Sequence, residues 1–265
     1  MRGMRTEAEC LEKRLYERFV RAFVTYHLLE DDDHVLVGLS GGKDSLLLTE
    51  LLAKRARIDK PRFKVEAVHV RMENIHYATS TDYLQAFCDS LGIRLHIRTT
   101  RFEVIDENNA ADEDIIKFKT QSSKFKRRQK QPCFLCSWYR RKALFNLAQQ
   151  LGCNKIALGH HRDDIIHTTL MNLTFQGRFG TMPALLRMRK MPLTIIRPLC
   201  LIDEADIRRY AELSGYEKVV KTCPYEHDTN RTAIAELYTR MEQMNPEARF
   251  SIWKALETEG KMTEN

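Results

Sequence analysis

The sequence predicts an α/β fold in which a parallel sheet carries helices on both faces, with helical segments added at the N-terminal and C-terminal ends. Three observations lead there. Short β-branched and apolar runs alternate with segments of helical period along most of the 265 residues, the order that builds a parallel sheet through crossover helices. Apolar runs such as Ser45-Leu46-Leu47-Leu48 are far too short to span a bilayer. No repeat or low-complexity tract interrupts the alternation, and a hydrophobic fraction of 43% is enough for one substantial core.

The elements follow in order. Leu11, Leu15, Phe19, Phe23 and Val24 recur at helical spacing among Glu, Lys and Arg, which predicts an amphipathic helix. Asp31-Asp32-Asp33 breaks that pattern, and 35–39 reads as a buried strand. Ser40-Gly41-Gly42 is a turn, and 43–57 a helix. Strands are predicted at 64–70, 94–98, 154–159 and 193–196, and helices at 82–91, 163–175, 203–214 and 233–244. Three parts result: an N-terminal helical segment at 1–30, a nucleotide-binding unit at 31–215 with a basic and cysteine-bearing insertion at 115–142, and a C-terminal region at 216–265. Ligands of such sheets sit at the carboxyl ends of the strands.

A formal charge of +7 fits an anionic partner. The opening residues lead into charged helical sequence rather than an apolar signal core, so a cytoplasmic location without membrane insertion is expected. Seven cysteines, an odd number in such a chain, argue against a disulfide framework and leave catalytic, metal-binding or buried thiols. The stretch 117–130 holds seven basic residues and no acidic ones. It reads either as a solvated loop or as a phosphate-backbone surface made by Lys124, Lys126, Arg127, Arg128 and Lys130, with Phe118 and Phe125 available for stacking.

Ser40-Gly41-Gly42-Lys43-Asp44-Ser45 follows a predicted strand and opens a helix. Two glycines let consecutive N–H groups face an anion, and the helix N-terminus, Ser40, Lys43 and Ser45 add donors. Asp44 would repel phosphates unless a cation lay between, which makes it a Mg²⁺ ligand candidate. This pattern resembles the pyrophosphate loop of the ATP pyrophosphatases. The resemblance implies a Rossmann-like, adenine nucleotide alpha-hydrolase-like fold, and ATP cleaved to AMP and pyrophosphate with adenylation of a carbonyl oxygen.

Gly159-His160-His161-Arg162-Asp163-Asp164 also lies between a strand and a helix, and looks like the Gly-His-x-x-Asp-Asp signature of the tRNA-modifying branch. Gly159 permits close approach to nucleotide and His160 can donate. The residues leave open how Asp163 and Asp164 divide capping, metal and substrate roles. His69, at a strand end, is placed either to touch adenine or to serve structure. Pro132-Cys133-Phe134-Leu135-Cys136 sets two thiols near a helix start predicted at Cys136, where the dipole and Arg140, Arg141 and Lys142 would lower their pKa values. A CxxC pair alone fits a redox dithiol, zinc, an iron–sulfur cluster or chance. Cys88, Cys153 and Cys200 adjoin apolar sequence and read as packing residues.

The order of pyrophosphate loop, CxxC, Gly-His-His-Arg-Asp-Asp and late Cys223 resembles the tRNA 2-thiocytidine synthetase family. Arg197-Pro198-Leu199, the spacing of Cys223 to Arg231, and Asn245-Pro246 with Arg249-Phe250 extend the likeness. Val220 stands where that family often has a further cysteine. The resemblance implies a [4Fe–4S] cluster on Cys133, Cys136 and Cys223, Mg²⁺ on Asp44 and Asp164, and tRNA as substrate. It also implies sulfur from a cysteine desulfurase or free sulfide, and a homodimer as a common state. Lysidine-type or 2-thiouridine chemistry and a non-catalytic cluster-sensing protein are the rival readings.

Overall fold

The computed structural model describes residues 6–73, 75–77, 80–101, 132–217, 221–222 and 229–264, with the backbone alone described at 132, 133, 221, 222 and 229. Helix α1 (Glu7–Tyr26) starts at a capping box in which Thr6 and Glu9 satisfy each other's backbone N–H groups. Its buried stripe runs through Leu11, Leu15, Phe19, Ala22 and Tyr26. Val24 was expected on that stripe but is 70% exposed. At 100° per residue the stripe continues from Phe19 to Ala22 and Tyr26, and Val24 falls off it.

Strands β1 (Asp33–Gly38), β2 (Phe63–Met72), β4 (Arg94–Thr100), β5 (Lys155–Ala157) and β7 (Thr194–Ile196) are parallel neighbours in the order β4-β2-β1-β5-β7. Two strands absent from the sequence reading extend this sheet. β6 (Leu185–Arg187) runs antiparallel to β7, and β9 (Thr263–Glu264) lies beside β6. The sheet is therefore mixed at one edge. A hairpin closed by Met188 N–H donating to the Leu193 carbonyl needs no crossover helix, so its polarity reverses. A separate two-stranded ribbon pairs β3 (His76–Tyr77) with β8 (Lys221–Thr222).

Alternation along β1 divides the core in two. Val35 and Val37 pack with α1, α2 (Lys43–Ala56), α5 (Arg162–Gln176) and α6 (Glu204–Leu213), while Leu36 joins Val68, Ile156 and α4 (Pro132–Gln150) on the other face. Helices thus cover both faces, as expected. Helix α3 (Asp82–Leu91) and the C-terminal pair α7 (Thr229–Met244) and α8 (Ala248–Thr258) complete the larger layer. The α4 helix begins at Pro132 rather than near Cys136, because proline suits the first helical turn.

The thiols at 88, 153 and 200 are buried as expected. Burial raises the Cys88 and Cys153 pKa values to about 11 and pushes that of Cys200 up as well. Cys10 is exposed. Among the described residues no helix is long and apolar enough to cross a membrane.

Candidate functional site

From β1 the chain moves outward to β2 and β4, whereas from β5 it moves the other way to β7. The connections leaving β1 and β5 therefore diverge, and a crevice opens at their carboxyl ends. Both sequence motifs fall there. Ser40–Ser45 follows β1, and Gly159–Asp164 follows β5.

In the first loop Gly41 takes φ +84°, a left-handed conformation that glycine adopts at little cost, and Gly42 is the extended N-cap of α2. Ser45 Oγ accepts from the N–H groups of Ser40 (3.1 Å) and Gly41 (3.2 Å) and donates to the Gly42 carbonyl at 2.9 Å. The loop is thus folded around its own hydroxyl, with the first turn of α2 presenting further N–H groups. Below it, His69 is 2% exposed and its Nδ1 donates to the Leu39 carbonyl at 2.8 Å. That bond holds the residue that precedes the loop.

The second motif presses against the first. A Cβ at Gly159 would stand 3.1 Å from the Asp44 backbone carbon and oxygen and 3.2 Å from Ser45 N. Backbone atoms cannot yield as a flexible side chain can. Gly159→Ala is therefore expected to displace the start of α2 and cost about 1–3 kcal/mol of loop integrity. The check is pyrophosphate affinity by calorimetry, which should fall; unchanged affinity would mean that the loop absorbs the methyl.

The polar groups converge. Lys43 Nζ lies 3.0 Å from Asp44 Oδ1 and 3.1 Å from Glu204 Oε1. Burial disfavours its ammonium, but these carboxylates outweigh burial and raise its pKa. Asp44 Oδ1 is buried and accepts no well-directed hydrogen bond, despite the nearby ammonium. A carboxylate oxygen with an unused lone pair at a phosphate loop suits a hard cation. His161 Nε2 lies 3.3 Å from Asp164 Oδ2 and 4.0 Å from Asp44 Oδ1. Burial works against a charged His161 ring, yet Asp163, Asp164 and Asp44 together raise its pKa. His160 behaves oppositely: burial first and the Arg197 charge second lower its pKa to about 4. Arg197 Nε donates to its Nδ1 at 3.2 Å, which leaves Nε2 as the N–H donor of a neutral ring.

Asp163 and Asp164 separate here. His161 is the N-cap of α5 and forms a capping box with Asp164. Asp163 does not cap its own helix: its Oδ2 accepts from Glu204 N at 2.7 Å and so ties down the start of α6. Its Oδ1 meets Arg249 at 3.4 Å. Burial alone would raise the Asp163 pKa, but His161, the Glu204 N–H and Arg249 lower it from 3.8 to about 2. The folded value lies below the unfolded one, so this contribution is present above pH ~3.8 and is lost as pH falls through ~2, on the order of 2 kcal/mol. Urea unfolding between pH 5 and pH 2 is expected to show that loss in the wild type and not in Asp163→Asn; equal slopes would count against the assignment.

At the neighbouring end of β2, Cys136 on α4 is half-buried and packs with Tyr77 and Tyr139 around Met72, Ile75 and Leu135. Tyr77 Oη accepts from Met72 N–H at 3.2 Å and from Arg140 Nη2 at 3.0 Å, and the Arg71 guanidinium lies 4.9 Å from its ring centre. Pairing of β3 with β8 sets Thr222, which precedes Cys223 in the chain, opposite His76. The Cys133 side chain, Cys223 and the basic residues Lys124, Lys126, Arg127, Arg128 and Lys130 lie outside the described residues.

The structure thus brings together Ser40, Gly41, Gly42, Lys43, Asp44, Ser45, Gly159, His160, Asp163 and Asp164. The sequence reading missed Glu204, the second partner of Lys43, and gave no role to His161. Arg197 and Arg249 stood within quoted motifs, and only the fold shows that they hold His160 and Asp163.

Comparison with known proteins bears on the family and the fold. A family profile described as a PP-loop domain matches residues 11–238. A tRNA-cytidine(32) 2-sulfurtransferase of Shewanella pealeana is 33% identical over 248 residues, covering 93% of this chain and 74% of the relative. The protein of that name from Bordetella avium is 32% identical over 253 residues, covering 95% and 75%. In fold, the chain resembles the U34-tRNA thiolase NcsA from Methanococcus maripaludis, solved with its [4Fe-4S] cluster, at a TM-score of 0.68 and 24% identity, covering 95% of this chain and 79% of that one. The chain belongs to the PP-loop family, in its tRNA 2-thiocytidine synthetase branch.

Proposed function

We propose that this protein is an ATP-dependent tRNA sulfurtransferase that converts a cytidine of tRNA to 2-thiocytidine. The observation that carries the reading is the meeting of the two motifs at the crevice, where Gly159 abuts the Asp44–Ser45 backbone and Lys43, Asp44, His161 and Asp164 follow one another in a chain of ionic contacts. The base C2 oxygen attacks the α-phosphate of ATP, and pyrophosphate leaves. Sulfur then bonds to C2, the C2–O bond breaks, and AMP departs. Relatives named for cytidine at tRNA position 32 support that substrate.

Lys43 and the loop N–H groups stabilise charge developing on the phosphates. Arg197 holds His160 in the tautomer that keeps its proton on Nε2, so the neutral ring can donate. Asp44 and Asp164 would hold Mg²⁺; the Asp44 Oδ1, buried and without a hydrogen bond, fits that role. Cys133, Cys136 and Cys223 would hold a [4Fe–4S] cluster, and the β3–β8 pairing beside the Cys136 cluster of side chains supports their convergence. When bound, Mg²⁺ offsets phosphate charge and the cluster carries the sulfur destined for the base. A cysteine desulfurase or sulfide as donor, a homodimeric state and a cytoplasmic location belong to the same proposal. So does the division at 1–30, 31–215 and 216–265, with α1, α7 and α8 built onto the central core.

The test is anaerobic purification with iron and sulfide analysis, followed by assays of pyrophosphate release and sulfur incorporation with tRNA. About four irons per chain and ATP-dependent thiolation are expected. Zinc or no metal, with pyrophosphate release intact, would favour lysidine-type adenylation instead.

A further inference from the structure

A cavity lies between α1, the start of α5 and α8. It has a volume of about 430 Å³ and is lined in part by Arg18, Arg21, Arg162, Arg249, Phe250 and Trp253. That size is within the range of small-molecule sites, roughly 300–1,000 Å³. Three carboxylates also face it, and each is already engaged. Asp203 accepts from Arg18 (2.9 Å), Arg162 (3.1 Å) and Arg249 (2.7 Å). Glu242 pairs with Arg249 at 2.8 Å. Glu257 accepts from Tyr26 Oη at 2.7 Å and Trp253 Nε1 at 3.1 Å.

The donors are not used up. Among the described residues Arg21 is exposed and has neither ion-pair nor hydrogen-bond partner, and Arg162 Nε is buried with no acceptor. Phe250 offers a ring that is 58% exposed. The Arg162 guanidinium stands 5.7 Å from the centre of the Trp253 ring, which gives the wall a flat, cationic character. Spare cationic donors beside an open aromatic face call for an anion attached to a planar group.

We infer that this cavity binds a nucleotide of the RNA substrate, its phosphate at Arg21 and its base against Phe250. The inference rests on the tRNA reading above and adds a contact made by residues outside the phosphate loop. A strand rather than a free nucleotide is favoured because Arg21 is exposed, so the backbone can continue past it into solvent. Arg249 also joins the cavity to the reaction site, since the same guanidinium that pairs with Asp203 reaches Asp163.

The experiment compares full-length wild type with Arg21→Glu and Phe250→Ala by tRNA fluorescence anisotropy over a salt series, with ATP affinity and thermal melting measured in parallel. Both side chains are exposed, so melting should not move. Arg21→Glu is expected to weaken tRNA binding about 10-fold and to flatten the log–log salt dependence by about 0.7, the value of one single-strand phosphate. Phe250→Ala should lose about 5- to 100-fold, the range of one base stacked on an aromatic ring. ATP affinity should be unchanged in both. Wild-type tRNA affinity and salt slope in both variants would overturn the cavity while leaving the sulfurtransferase reading intact. Loss of free AMP binding in the variants without loss of tRNA binding would overturn the RNA source. A wild type that binds no tRNA would sink the functional reading and this inference together.

Discussion

Lys43→Ala is expected to slow tRNA-dependent pyrophosphate release by about 10²–10³-fold, the scale of losing one preorganised donor at developing negative charge. The ammonium is bracketed by Asp44 and Glu204, which keep it protonated and hold it over the start of α2. Its removal also leaves the Asp44 carboxylate without its nearest cation, so the loss should appear in kcat and in nucleotide affinity alike. Stopped-flow detection of pyrophosphate, with a thermal melt to confirm folding, is the measurement. Activity within about 3-fold of wild type would reduce Lys43 to a strut between α2 and α6, because an interaction specific to the transition state cannot vanish so cheaply.

The second large effect is expected at Cys136. Cys136→Ala removes one half-buried sulfur from a small apolar cluster beside Met72 and Tyr77, a minor change in packing. Its consequence for chemistry should be total: iron and acid-labile sulfide lost, and sulfur incorporation into tRNA undetectable. Pyrophosphate release should survive within a few-fold, because Lys43, Asp44 and Asp164 belong to the other motifs. Concurrent loss of both activities, with a lowered melting temperature, would instead make Cys136 a folding residue.

Much of the fold was written locally. The Val35–Leu39 run, the Ser40–Ser45 turn and the Gly159–Asp164 turn declare themselves by residue type, and the crevice lies where they meet. The strands β3, β8 and β9 are only two residues long and, unlike the short β5 and β7, lack an apolar run to mark them. Asp163 illustrates another limit. A helix-start aspartate ordinarily caps its own helix, but His161 occupies that position and Asp163 turns to the Glu204 N–H of a different helix. Glu204 and Arg249 reach the site through tertiary packing, and no spacing rule relates them to residues 43 or 163.

The buried cysteines have one further consequence. At neutral pH a thiol with a pKa near 11 is thiolate in only about one molecule in 10⁴, and sulfur exchange proceeds through the thiolate. Cys88 and Cys153 are doubly screened, by protonation and by the core around them, and Cys200 shares that burial. A protein that handles labile sulfur risks persulfide and polysulfide migrating among its own side chains. Here the three buried thiols, Cys88, Cys153 and Cys200, are insulated from that traffic and are poor acceptors of sulfane sulfur.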